Sequence, residues 1–131
     1  MDSPPPPGQA AVLVADDSDH VRAMLGVALC AKGLAPYLAA TGHEAVEQFL
    51  RHKDEVGAVL LDVNMPGLDG PGTLAQIRQA DPAVPCCFMT GNPEPYSAEG
   101  LMALGAVCVF EKPFRLDEVL QFMRELCERP R

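Results

Sequence analysis

Five polar residues stand at the downstream ends of four short apolar runs. Three carry carboxylates, one a hydroxyl and one an ammonium group: Asp16, Asp17, Asp62, Thr90 and Lys112. In an open parallel α/β sheet, the carboxyl ends of the strands meet at one crevice, and ligands bind there. If the apolar runs are strands of such a sheet, these five side chains meet at one site.

The three carboxylates predict a site for Mg²⁺. They supply hard oxygen ligands, and Mg²⁺ is usually held by a few carboxylates together with water and a phosphate oxygen. Without a cation, repulsion among the acids would raise the pKa of at least one carboxyl group. The Lys112 ammonium suits a phosphoryl oxygen, and Thr90 adds a hydroxyl. Each acidic position taken singly also fits a turn or a helix cap, but their combination favours a site.

The elements that must position this site alternate regularly along the chain. The predicted strands are Val12–Ala15, Leu34–Ala39, Val56–Leu61, Pro85–Thr90 and Val107–Glu111. The predicted helices run from the cap Ser18 to about Lys32, from the cap Thr41 onward, around Thr73–Gln79, near Tyr96–Leu104 and over Leu116–Glu128. Strict strand–helix alternation predicts an α/β fold with a five-stranded parallel sheet and right-handed crossovers.

Local signals add detail to these elements. Gly33 is placed to end the first helix, Pro36 favours an edge position for the second strand, and a turn is predicted from Asn92 to Pro95. We expect Ala45, Val46, Phe49 and Leu50 to form the buried face of the second helix. In the last helix, the residues expected to point inward are Leu116, Val119, Leu120, Met123 and Cys127.

Composition limits the classes of function that the chain can have. A chain of 131 residues fits one domain with one core. The formal net charge of −8 leaves no basic face for a phosphate backbone, so we expect no nucleic-acid binding. We find neither the pattern of a signal peptide nor a run that could span a bilayer, and we expect a cytoplasmic protein without membrane association.

The chain divides into a short leader and a domain. Residues 1–10 contain Pro4 to Pro7 followed by Gly8, which favours a disordered, extended tail over a docking motif for a proline-reading domain. Residues 11–131 form the predicted domain. Its five cysteines lack metal-type spacing, and we expect most of them to act as small buried hydrophobes.

Over residues 11–128, the chain resembles the receiver domain of two-component response regulators. The matching segments are Val14–Asp17, Leu60–Gly70, Met89–Gly91 and Phe110–Phe114. The resemblance implies a flavodoxin-like (βα)5 fold, a doubly wound sheet with strand order 2-1-3-4-5. It also implies a signalling module that takes a phosphoryl group from a sensor histidine kinase or a phosphotransfer protein.

The same resemblance implies a role for each site residue. Asp62 would accept the phosphoryl group. Asp17 and Asp62 would hold Mg²⁺ through their side chains, Asn64 through its backbone carbonyl, and Asp16 mainly through a coordinated water. Thr90 and Lys112 would bind the phosphoryl oxygens. Such a domain would phosphorylate and dephosphorylate only itself, without turning over a substrate as an enzyme does.

One position departs from the family pattern. The family usually carries an aromatic residue three positions before the lysine, and here that residue is Val109. Strand parity places Val109 on the face opposite Lys112, so Phe110 does not simply replace the aromatic. We therefore expect phosphorylation to change the surface around Asn92–Leu104 without an aromatic side chain changing sides.

Two other functions remain open from the sequence. An aspartyl-phosphate phosphohydrolase also uses a strand-end aspartate, Mg²⁺ and a lysine, but it generally needs a second acid where this chain has Asn64. A phosphate-independent interaction module would not need the acids, the threonine and the lysine together. The sequence does not identify the downstream protein partner. It also leaves open whether the chain is a stand-alone protein or part of a longer regulator, and whether it forms a homodimer through the last helix.

Overall fold

Five strands and five helices alternate along the described part of the chain. The computed structural model describes residues 9–92 and 95–129. The strands are β1 Ala11–Ala15, β2 Ala35–Ala39, β3 Val56–Asp62, β4 Cys86–Thr90 and β5 Cys108–Glu111. The helices are α1 Asp19–Ala31, α2 Gly42–His52, α3 Gly70–Ala80, α4 Ala98–Ala103 and α5 Leu116–Glu128. The predicted leader lies mostly, and the predicted turn after Asn92 partly, outside the described residues.

All strand pairs are parallel, in the order β2-β1-β3-β4-β5. This confirms the predicted fold, including the edge position of β2 with its Pro36. Within the described ranges, none of the helices has the length and apolar character needed to cross a membrane.

The sheet separates two apolar clusters because alternate strand residues point to opposite faces. The α2/α3 cluster includes Leu13, Phe49, Leu61, Leu74, Ile77, Phe88 and Leu101. The α1/α5 cluster includes Val14, Leu25, Leu29, Leu60, Met89, Val119 and Met123. β3 is buried on both faces, as its apolar run predicts. Cys86 and Cys87 are both buried and enter different clusters, as expected for neighbours on a strand, whereas Cys30 is exposed.

Helix caps fix where the helices begin. The side chains of Ser18 and Thr41 accept hydrogen bonds from the first turns of α1 and α2, as predicted. α3 begins at Gly70, three residues before the predicted start, because Asp69 caps it. The prediction was wrong because Gly70, Pro71 and Gly72 resemble a loop, although proline is well tolerated in the first turn of a helix.

One core assignment was also wrong, and one core residue was missed. Leu50 is 56% exposed, whereas Ala45 and Phe49 are fully buried, because Leu50 lies about 100° around the helix from Phe49. In α5, Leu126 is buried and was not among the residues predicted to point inward. Gly33 has φ +78°, which confirms its predicted place at the end of α1.

Candidate functional site

The carboxyl ends of β1 and β3 bring three carboxylates together. In the paired strands, Ala15 lies opposite Leu61, so the next residues, Asp16 and Asp62, follow at the same level. One oxygen from each of Asp16, Asp17 and Asp62 lies within 4.8 Å of the others. Asp16 and Asp62 are buried, and Asp17 is exposed. The acids predicted from strand ends therefore form one cluster that is open to solvent on one side.

Lys112 reaches this cluster from the end of β5. Its Nζ lies 3.0 Å from Asp16 Oδ2 and 3.6 Å from Asp62 Oδ1. Burial lowers the pKa of Lys112, but its hydrogen bond to Asp16 and the charges of both acids outweigh burial and raise that pKa overall. The second oxygen of Asp16 accepts a hydrogen bond of 2.9 Å from the Ser18 N–H. Lys112 is thus a fixed positive charge between two buried acids.

The surroundings of Asp62 disfavour its negative charge. Burial, the charge of Asp16 and the charge of Asp17 raise its pKa to about 6, although Lys112 and a backbone hydrogen bond from Asn64 oppose the shift. The charge of Lys112 therefore does not fully offset burial and the charges of the two neighbouring acids. A divalent cation among these oxygens would remove the imbalance, and hard oxygen donors are the ligands that Mg²⁺ prefers.

Thr90 stands at the end of β4, which pairs with β3 so that Met89 lies opposite Asp62. Its side chain is buried, and its Oγ1 accepts a hydrogen bond of 3.0 Å from the Asn92 N–H. Because the hydroxyl accepts here, its own proton is available for another acceptor. Asn64, two residues beyond Asp62, donates its side-chain N–H to the carbonyl oxygen of Asn92.

The loop after Asp62 turns back tightly against its own strand. The Gly70 N–H donates to the carbonyl oxygen of Val63 at 2.9 Å. A Cβ at Gly70 would lie 2.5 Å from the carbonyl oxygen of Asp62, so only glycine fits at this close approach. The first residue of α3 therefore lies directly against the backbone of Asp62.

Two residues of this region were missed from the sequence. The Tyr96 hydroxyl donates to Asp69 Oδ2 at 2.7 Å, while Asp69 Oδ1 caps α3 through the Gly72 N–H at 2.9 Å. An aspartate before Gly-Pro-Gly is a recognisable N-cap signal, but the loop interpretation of this segment hid it. The contact with Tyr96 spans 27 residues, and local sequence gives no signal for it.

The two faces of β5 differ as strand parity predicts. Val109 packs against the α2/α3 cluster, and Phe110 against the α1/α5 cluster. Phe110 meets Phe122 of α5 edge to face, with ring centroids 5.8 Å apart. Phe110 therefore does not occupy the face on which Val109 lies.

Comparison with known proteins gives consistent matches. A family model described as the response regulator receiver domain matches residues 12–124. The chain is 37% identical over 123 residues to the sensor kinase CckA of Brucella abortus, covering 93% of this chain and 13% of that protein. It is 34% identical over 108 residues to the regulatory protein AtoC of Escherichia coli, covering 82% of this chain and 23% of that protein. The chain thus spans less than a quarter of the length of these relatives.

Solved structures match the whole fold. The chemotaxis protein CheY4 of Vibrio cholerae superposes with a TM-score of 0.81 at 26% identity, covering 91% of this chain and 99% of that one. A response regulator receiver domain protein from Clostridium thermocellum superposes with a TM-score of 0.85 at 23% identity, covering 92% and 95% of the two chains. The second likeness shows the fold alone.

Proposed function

This chain belongs to the response regulator receiver domains of two-component systems, and we propose that it accepts a phosphoryl group on Asp62. The observation that carries the proposal is the meeting of three carboxylates with the Lys112 ammonium at the strand ends, where Nζ lies within 3.6 Å of Asp62. The donor would be a sensor histidine kinase or a phosphotransfer protein.

We assign Mg²⁺ to the carboxylate cluster. Asp17 and Asp62 would hold it through side-chain oxygens, Asn64 through its backbone carbonyl, and Asp16 mainly through a coordinated water. Two features of the described residues support this assignment: the oxygens lie within 4.8 Å of one another, and the pKa of Asp62 is raised to about 6. When bound, the ion supplies positive charge that offsets the acids and the incoming phosphoryl group.

The proposed reaction is a phosphoryl transfer between a phosphohistidine and a carboxylate. An Asp62 oxygen attacks phosphorus, a P–O bond forms, the P–N bond breaks, and the imidazole leaves with the electron pair and takes up a proton. Such transfers depend mainly on positioning and on stabilising charge on the phosphoryl oxygens. The Lys112 ammonium and the Thr90 hydroxyl would hold those oxygens.

We assign the receiver domain to residues 11–131, with residues 1–10 as a leader. The domain would act on itself and then signal to a downstream protein, without binding nucleic acid through its own surface. Its acidic balance supports the latter statement, since the formal net charge is −8.

Phosphorylation by a small donor tests the proposal. The full chain is incubated with acetyl phosphate or phosphoramidate, with and without Mg²⁺, and its intact mass is measured. We expect one phosphoryl group per chain, dependent on Mg²⁺ and absent in Asp62→Asn. Asp54→Asn, which changes an exposed aspartate outside the site, is the matched control and should behave as the unmodified chain.

Two other results would contradict the proposal. Steady hydrolysis of phosphomonoesters would identify a phosphohydrolase, and the Asp62→Asn variant would then be inactive in that assay. Absence of any adduct with either donor at every Mg²⁺ concentration would leave a phosphate-independent interaction module.

A further inference from the structure

Tyr96 links the segment after Thr90 to the loop after Asp62. Its ring is partly buried against the α2/α3 cluster, against which Val109 also packs. Its hydroxyl donates to Asp69 Oδ2 at 2.7 Å. The tyrosine thus joins two segments that each follow a residue of the proposed phosphoryl site.

Asp69 is a firmly held partner for this hydrogen bond. Its Oδ1 accepts from the Gly72 N–H at 2.9 Å, and its carbonyl oxygen accepts from the Thr73 hydroxyl at 2.7 Å. Thr73 is fully buried, and α2 packs closely here: a Cβ on Gly42 would lie 2.3 Å from Thr73 Oγ1. Asp69 therefore belongs to a block formed by α2, α3 and the loop after Asp62.

A second link joins the same two segments closer to Asp62. Asn64 donates to the Asn92 carbonyl, and the Asn92 N–H donates to Thr90 Oγ1. Thr90 and Asn92 are thus tied to the loop after Asp62 at one point, and Tyr96, four residues beyond Asn92 in the sequence, is tied to that loop at another. Residues beside Asp62 and Thr90 are held from two places.

We propose that Tyr96 is a positioning residue of the phosphoryl site, which holds the segment carrying Thr90 and Asn92 in register with the loop after Asp62 through Asp69. This inference rests on the proposed function and deepens it. A hydrogen bond from a hydroxyl to a carboxylate is charge-assisted and stronger than a neutral one. The bond to Asp69 also raises the pKa of Tyr96, which keeps the hydroxyl protonated as a donor.

The test removes one hydroxyl from the full chain. Tyr96→Phe keeps the ring and loses the bond, and Tyr37→Phe is the matched control because it removes the only other tyrosine hydroxyl, on β2. Beryllofluoride, which mimics a phosphoryl group on a carboxylate, serves as the probe together with Mg²⁺. Its affinity is measured by calorimetry, and the rate of phosphoryl loss after acetyl phosphate is removed is followed by intact mass.

We expect Tyr96→Phe to weaken beryllofluoride binding about threefold to tenfold and to speed phosphoryl loss by a similar factor, as the loss of one positioning hydrogen bond would do. The affinity for Mg²⁺ alone should stay the same, because the carboxylates are unchanged. Tyr37→Phe should leave all three quantities unchanged. A merely structural role would lower the free energy of unfolding without weakening beryllofluoride relative to Mg²⁺.

A double-mutant comparison tests the route through Asp69. Asp69→Asn keeps an acceptor for the Gly72 N–H but removes the carboxylate, so Tyr96→Phe should have a smaller further effect in that background. An equal effect in both backgrounds would overturn the route through Asp69.

The remaining outcomes are distinguishable. If the unmodified chain takes up phosphoryl and beryllofluoride but Tyr96→Phe matches it in affinity and lifetime, or binds more tightly, the inference about Tyr96 is wrong and the proposed function stands. If the unmodified chain takes up neither, both are wrong.

Discussion

Leu61 and Asp62 are successive residues of β3, and both are buried, yet they have opposite consequences for the fold. Leu61 is 0% exposed within the α2/α3 cluster. Asp62 is 5% exposed beside Asp16, and its pKa is raised to about 6 because burial disfavours its charge. The apolar part of the strand stabilises the protein, and its last residue destabilises it whenever that residue is ionised.

Burial at the end of the strand therefore serves the proposed chemistry rather than stability. Six residues, Val56 to Leu61, fix the direction and height of the strand between its two neighbours. They thereby hold the Asp62 carboxylate in a buried position that disfavours its charged form. Functional residues often break the local rules that the rest of a fold obeys, and compensation comes from elsewhere in the structure.

The largest expected effect on stability is at Leu61. Leu61→Ala leaves a cavity between β3 and the α2/α3 cluster and should lower the free energy of unfolding by about 2–5 kcal/mol, measured by urea denaturation. The folded fraction should still accept phosphoryl from acetyl phosphate, since no site residue is changed. A loss of less than 1 kcal/mol would contradict the assignment of this part of β3 to the stabilising core.

Asp62→Asn should stabilise the protein, in contrast to Leu61→Ala. At pH 8 we expect this substitution to raise the free energy of unfolding by about 1–3 kcal/mol, because a neutral amide avoids the burial of charge beside Asp16. Phosphorylation should be lost completely. Destabilisation at pH 8 would show that the ionised carboxylate is well accommodated, against the contrast with Leu61.

The pH dependence of the free energy of unfolding tests whether ionised Asp62 destabilises the protein. The folded state binds a proton at Asp62 more tightly than the unfolded state, since the pKa rises from 3.8 to about 6 on folding. The contribution of Asp62 to stability is therefore present below pH 4 and is lost as the pH rises to 6. The stability of the unmodified chain relative to Asp62→Asn should fall across this window and be level above pH 7, measured by urea denaturation at each pH.

Mg²⁺ should offset part of the destabilisation that ionised Asp62 causes. At a concentration ten times its dissociation constant, a ligand that binds only the folded state adds about 1.4 kcal/mol to the free energy of unfolding. We expect this gain at pH 8 in thermal denaturation of the unmodified chain and most of it to disappear in Asp62→Asn. An equal gain in both chains would place the ion away from Asp62.

The smallest effect concerns Lys112. Lys112 lowers the pKa of Asp62 through its charge, 3.6 Å away. Lys112→Met should therefore move the Asp62 pKa further upward, as followed by NMR titration of the side-chain carboxyl. Arg124→Met, a change on the exposed surface of α5, is the control and should leave the Asp62 pKa unchanged. An unchanged pKa in Lys112→Met would mean that the lysine does not compensate the acids in solution.

Most of the fold could be predicted because the local patterns agree with one another. Buried runs such as Val56–Leu61 have no polar alternation, which is typical of a parallel strand covered on both faces. Ser18 and Thr41 mark their helix starts through their own side chains. The errors arose where a local pattern has two meanings: Gly70-Pro71-Gly72 fits a loop and a capped first turn equally well.

The site was predictable to the extent that strand ends determine it. Asp16 and Lys112 are 96 residues apart in sequence, yet parallel topology alone brings their strand ends to one edge. The Tyr96–Asp69 contact could not be predicted in this way, because it depends on how a loop packs across the sheet end. Side-chain directions within loops are set by tertiary packing rather than by local sequence.

We propose that Asp62, among the three clustered acids, is the group that accepts phosphoryl. Borohydride reduces an aspartyl phosphate to homoserine, so the full chain is treated with acetyl phosphate and Mg²⁺, reduced, and mapped by peptide mass spectrometry. We predict homoserine at position 62 alone. Homoserine at position 16 or 17, or the absence of homoserine from a chain that has gained a phosphoryl group, would contradict the claim.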